Sequence, residues 1–143
     1  MVTVNELTTA DPDVLASLNR LLPQLSSSAA PVSPAEFAEI VASDASRLLV
    51  ARDADGSVLG AMTLVVFRIP TGVRAWIEDV VVDGDARGRG VGEALNRAAI
   101  DLAYELGSRT IDLTSRPTRV AANALYQKLG FVARDTNIYR YER

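Results

Sequence analysis

Ile77-Glu78-Asp79-Val80-Val81-Val82-Asp83-Gly84-Asp85-Ala86-Arg87-Gly88-Arg89-Gly90-Val91-Gly92 decides how the chain is read. It opens as a β-branched strand, passes an acidic turn and enters a loop with Gly at 88, 90 and 92. An apolar helix pattern follows at once through Val91, Ala94, Leu95, Ala98, Ala99 and Leu102. The first turn of a helix has unpaired N–H donors, and the helix dipole adds partial positive charge there. Glycine lets an anion approach the backbone, while Arg87 and Arg89 supply charges suited to phosphate. The stretch therefore reads as a diphosphate-binding turn.

Three phosphate sites compete for such a turn. A Walker loop requires Gly, four residues and then Gly-Lys-Ser/Thr, and this loop has no Lys. A dinucleotide fingerprint needs G-x-G-x-x-G; here the turn runs G-x-G-x-G into Glu93, although Asp112 lies where a ribose-binding acid is expected. The third pattern, Arg-x-x-Gly-x-Gly, is met by Arg87, Gly90 and Gly92.

Working outward, Val2 to Leu7 alternates as a first strand. Asp11-Pro12 starts a helix that the spacing of Val14, Leu15, Leu18, Leu21 and Leu22 carries to about Pro23. Residues 24–32 read as a loop, either simple packing or a lid. Ser33-Pro34-Ala35-Glu36 is a capping box that starts a second helix. Arg47–Arg52, Val58–Arg68 and Arg74–Val82 form an antiparallel meander, the first pair joined through Asp53-Ala54-Asp55-Gly56. Val91–Leu106 is helix, Thr110–Thr114 strand and Arg119–Leu129 helix, with Phe131–Asp135 and Ile138–Tyr141 as two closing strands. The expected order is β-α-α-β-β-β-α-β-α-β-β, with no interdomain linker, so residues 1–143 read as one domain.

Composition restricts the chemistry. With no Cys and no His there is neither a thiolate nucleophile nor an imidazole base, and no metal site is expected. Acid–base work falls to carboxylates, Tyr, Lys or water. A net charge of −3 speaks against general nucleic-acid binding, which requires a basic face. No apolar run approaches the roughly 20 residues of a membrane span. The first residues lack a basic-then-apolar signal pattern, and a cytoplasmic location is the expectation.

A second motif lies near the C-terminus: Ala122, Leu125, Tyr126, Lys128, Gly130 and Phe131 match Ala-x-x-Leu-Tyr-x-Lys-x-Gly-Phe. With the glycine turn, this resembles the GNAT superfamily of acyl-CoA N-acyltransferases, well over residues 47–141 and only in element order before that. The resemblance implies an α/β fold with a central mixed seven-stranded sheet and helices on both faces. It also implies acetyl-CoA as acyl donor and direct transfer to a primary amine in a ternary complex. Val80, Val81 and Val82 would meet pantetheine through their backbone. Arg87, Gly88, Arg89, Gly90, Val91, Gly92 and Glu93 would form the pyrophosphate turn, with Asn123, Tyr126 and Lys128 nearby. Tyr126 would assist thiolate departure. The family often has Asn seven residues before this Tyr; here that position is Arg119.

Glu78 and Asp79 are carboxylates inside an apolar strand. Alternation places them on opposite faces, Glu78 beside Val80 and Val82. Glu78 reads as a base for the substrate ammonium, or as one half of a buried ion pair with an Arg. Asp79 is assigned to structure. The expected partner is a small-molecule or peptide amine, and closing strands in this fold often pair across a homodimer. Two other functions fit parts of the pattern: a non-catalytic acyl-CoA sensor and a dinucleotide-binding oxidoreductase. The identity of the acceptor is not written in the motifs.

Overall fold

A computed structural model describes residues 1–143. Five strands form one sheet in the order β1-β2-β3-β4-β5. They are β1 (Thr3–Glu6), β2 (Ser46–Arg52), β3 (Val58–Ile69), β4 (Gly72–Val82) and β5 (Ile111–Asp112). The first four pair antiparallel, and β5 lies parallel to β4. Four helices complete the chain: α1 (Pro12–Leu25), α2 (Pro34–Ala42), α3 (Val91–Glu105) and α4 (Val120–Lys128).

The sheet is covered on both faces, as amphipathic elements require. On one face, Val91, Leu95, Ala99 and Ala103 of α3 pack with Leu49, Met62, Leu64, Ala75 and Ile77. On the other, Val14, Leu18 and Leu21 of α1 and Phe37 of α2 pack with Leu48, Val50, Ala61 and Val81. The Ser33 hydroxyl and Glu36 carboxylate form the expected capping box. Helix α1 runs past Pro23 to Leu25, two residues beyond the expected end, because Pro removes only its own N–H and Ser26 N still reaches Leu22 O. Asn19 then fixes the end of the following loop through two bonds with the Val32 backbone.

Two expectations are corrected. The sheet has five strands rather than seven, since residues 131–143 enter no strand. A strand exists by pairing, and the available edge, β5, is only two residues long. The last backbone bond of the chain is Phe131 N to Tyr126 O at 2.9 Å, and Val132, Ile138, Tyr139 and Tyr141 lie exposed beyond it.

The second correction concerns β4. Thr63 is opposite Glu78 but Ala61 is opposite Val81, so Asp79 and Val80 together face Met62. This is a β-bulge, which inserts one residue and bends the strand. Asp79 takes up the distortion with φ 51°, a left-handed conformation that Asp tolerates better than most residues. Gly60 allows the close approach from β3, where a Cβ would lie 2.7 Å from Val81 O. Alternation therefore reverses across the bulge. Ala75 and Ile77 face α3, Val80 and Val82 still pack toward α3, and Val81 points to α1. Glu78 is thus not on the face of Val80 and Val82. It is also exposed and in no ion pair, so the buried structural pair is not formed.

Candidate active site

The glycine turn begins with one turn of 3-10 helix, Gly84–Ala86, and leads into α3. Gly88 and Gly90 have φ of 80° and 76°, and no atom lies within 4 Å of a Cβ built on either. They keep their backbone open while holding a left-handed conformation that suits only glycine without strain. Gly90 caps α3 with no side-chain bond. The N–H groups from Gly88 through Glu93 find no acceptor within the chain. Six successive donors at the positive end of a helix make an anion cradle. Gly92 has a packing reason as well: a Cβ there would sit 3.3 Å from Leu125 Cδ2 of α4.

The charges around the turn divide their tasks. Arg87 is exposed and in no ion pair. Arg89 is 3.0 Å from Asp53 of the β2–β3 hairpin, which raises the guanidinium and lowers the carboxyl from their ordinary values. The carboxylate of Glu93 is held by Lys128 Nζ at 2.7 Å and Arg97 Nε at 3.2 Å, tying α3 to α4. The Lys128 bond is the larger cause of its lowered pKa.

Helix α1 holds the entrance of the turn. Arg20 Nη1 donates to Asp83 Oδ2 at 2.6 Å, and Gln24 Oε1 accepts from Gly84 N at 2.9 Å. Chiefly through Arg20, the Asp83 carboxyl is held below its ordinary value of 3.8. A group depressed by folding contributes stability that is complete above its unfolded pKa and is lost as pH falls through the folded one. The melting temperature of Arg20→Met should therefore fall less steeply than that of the parent below about pH 4. Parallel melts at several pH values check this.

Strands β4 and β5 pair at only two positions, Ala75 with Ile111 and Trp76 with Asp112. Beyond them residues 77–82 have no strand on that edge. A cavity of about 80 Å³ opens there, lined by Ile77, Glu78, Asp79, Val80, Leu113, Thr114, Arg119, Tyr126 and Leu25 of α1. Tyr126 is 8% exposed and packs edge-to-face on Phe131, with centroids 5.7 Å apart. Burial raises its pKa above 10.0, a shift only partly offset by the Arg119 charge. The phenol is a protonated donor at neutral pH.

The sequence profile of the acetyltransferase (GNAT) family matches residues 15–131. The chain belongs to that family. Over 88 residues this GNAT chain is 39% identical to a mycothiol acetyltransferase of Clavibacter sepedonicus, a match covering 62% of the chain and 28% of that protein. It spans less than a third of the mycothiol acetyltransferases that it matches. It is 35% identical over 112 residues to glucosamine 6-phosphate N-acetyltransferase 1 of Oryza sativa subsp. japonica, covering 75% and 66% of the two chains. The fold superposes on a transcriptional regulator from Bacillus halodurans C-125 with TM-score 0.86, 27% identity and 99% and 100% coverage. The match favours neither the sensor nor the dinucleotide reading.

Against this GNAT fold the sequence-derived residues separate by position. Glu78, Val80 and Tyr126 line one cavity, whereas Arg87 to Glu93 form the turn. Val81 is buried toward α1, and Val82 packs toward α3. Asn123 is occupied elsewhere: its amide donates to Arg116 O at 2.9 Å and holds the approach to α4. Sequence reading gave no role to Arg119 and Thr114, which line the cavity with Tyr126. The signal for Arg119 was the motif position at which it replaces Asn.

Proposed function

We propose that the chain is an acetyl-CoA-dependent N-acetyltransferase that moves an acetyl group onto a primary amine by direct attack. The observation that carries the proposal is the continuity of two features. A cradle of six unpaired N–H groups leads into an opened sheet edge, and a buried tyrosine stands at that edge. A negatively charged head in the cradle and an extended arm along residues 77–82 match both. Backbone capture of an extended ligand by a free strand edge is an established mode of recognition. The family relatives named as N-acetyltransferases support the same reaction.

The residues present fit that donor. Residues 88–93 would hold its pyrophosphate, with Arg87 adding charge and Asp53 keeping Arg89 beside the turn. The free edge from Ile77 to Val82 would pair with its amide-bearing arm. Bound there, acetyl-CoA supplies the activated acyl group. Tyr126 donates a hydrogen bond to the departing sulfur, and Arg119 favours negative charge beside it. Glu78, exposed on the cavity wall, accepts a proton from the amine directly or through water. The chain holds no Cys for a thioester intermediate, which supports a ternary complex.

No helix is long and apolar enough to cross a membrane. The large apolar side chains exposed along residues 132–143 support the homodimer. Kinetic order tests the proposal. Incubation with acetyl-CoA alone should leave the intact mass unchanged, and adding an amine acceptor should release thiol. A stable acetyl-protein adduct that passes its acetyl group to the amine would overturn direct attack.

A further inference from the structure

A second cavity lies on the α1/α2 face of the sheet, lined by Leu18, Leu22, Val32, Ile40, Leu48, Ala61, Thr63 and Asp79. Asp79 is the one residue that lines both cavities. The β-bulge creates this meeting point, because the inserted residue turns out of the regular alternation with φ 51°. The Asp79 carboxylate forms no ion pair, and neither does that of Glu78 beside it. Of the residues lining the two cavities, Arg119 alone is basic, and it stands on the Tyr126 side.

Size and chemistry together select an occupant. An apolar cavity of about 150 Å³ lined by Leu, Ile and Phe side chains holds benzene. The second cavity is about 80 Å³, room for a short branched aliphatic group. Its wall is apolar apart from Thr63 and Asp79, so a polyol placed there would lose hydrogen bonds to water without replacement. With the free Asp79 carboxylate at the junction and that of Glu78 in the first cavity, a phosphate on the acceptor would be repelled and an ammonium attracted.

We infer that the acetyl acceptor is a small aliphatic primary amine. Its hydrocarbon body fills the α1/α2 socket, and its nitrogen lies at the Asp79 carboxylate, facing the donor cavity. The inference rests on the acetyl-transfer reading above and names its substrate class. In the step, a C–N bond forms at the acyl carbon and the C–S bond breaks. The ammonium gives up two protons: one completes the free thiol and the other leaves through Glu78 to solvent. Asp79 holds the amine without exchanging a proton.

The test is thiol release from acetyl-CoA with 3-methylbutylamine, ethanolamine, glucosamine 6-phosphate and an aminoglycoside, beside calorimetry of CoA binding. The expected order puts 3-methylbutylamine first by about 10-fold or more in kcat/KM, the discrimination that an apolar pocket gives for one or two carbons. Ile40→Phe should fill the socket and raise KM for that amine about 10-fold, with CoA affinity unchanged. Asp79→Asn, which tolerates the same left-handed backbone, should also raise KM and leave CoA affinity and melting temperature in place. Preference for glucosamine 6-phosphate or the aminoglycoside would overturn the acceptor class while upholding acetyl transfer. Unchanged KM in both folded variants would do the same. A chain that binds CoA but acetylates no amine overturns the acetyl-transfer reading and the acceptor class with it.

Discussion

Glu78→Gln should lower turnover by about 10²–10⁴-fold, the usual contribution of a general base. It should also erase the acidic limb of the pH–rate profile, because that limb reports protonation of the base. CoA affinity should hold, since Glu78 faces the cavity rather than the glycine turn. A stability effect is not expected: the side chain is exposed and in no ion pair, so a neutral isostere breaks nothing. The neighbouring carboxylate makes the test sharper. Asp79 lines the same cavity, and a base role carried by it would leave the acidic limb intact in Glu78→Gln and remove it in Asp79→Asn. Tyr126→Phe separates the other proton. It should lower the rate while preserving CoA affinity, and the ring packing on Phe131 should keep the fold. Rate, pH profile and melting temperature on the same three variants assign the two groups.

What could be read in the sequence was what short-range chemistry determines. Ser33 and Glu36 announced a helix start because a capping box is complete within four residues. The glycine turn was legible for a similar reason: Gly88 and Gly90 hold φ values that few other residues adopt. The reversal at Asp79 was not legible. Ile77 to Val82 has the composition of an unbroken strand, and the extra residue exists only in relation to Met62 on the neighbouring strand. From that one insertion came the misplaced face of Glu78 relative to Val80 and Val82. Residues 131–143 failed in the opposite direction. Val132, Ile138, Tyr139 and Tyr141 have strand-forming side chains, but β propensity expresses fit to a neighbouring strand. With an edge of two residues at β5, the propensity has nothing to act on within the chain. The second cavity was beyond sequence reading as well, because its wall joins side chains of α1, α2, β2, β3 and β4 that only the fold brings together.

Gly90→Val should abolish measurable CoA binding in a chain that still folds. The position has open space, with no atom within 4 Å of a built Cβ, so no clash inside the protein opposes the change. Two other effects remain, and they have different signatures. The first is backbone strain: a side chain at φ 76° costs on the order of 1–2 kcal/mol. The second is obstruction of the cradle, because an isopropyl group would stand where the anion meets the free N–H groups of residues 88–93. Losing two bonds to a charged group costs roughly 3–6 kcal/mol, or about 10²–10⁴-fold in affinity. Gly107 supplies the control at the other end of α3. It has φ 96°, and a built Cβ meets only Val73 Cγ2 at an ordinary 3.9 Å. Gly107→Val therefore carries comparable strain on the same helix without approaching the turn. Both variants should melt a few degrees below the parent, and only Gly90→Val should lose CoA in calorimetry. Equal loss of affinity in the two would make helix strain the cause, and unchanged affinity in a folded Gly90→Val would remove the anion cradle from the turn.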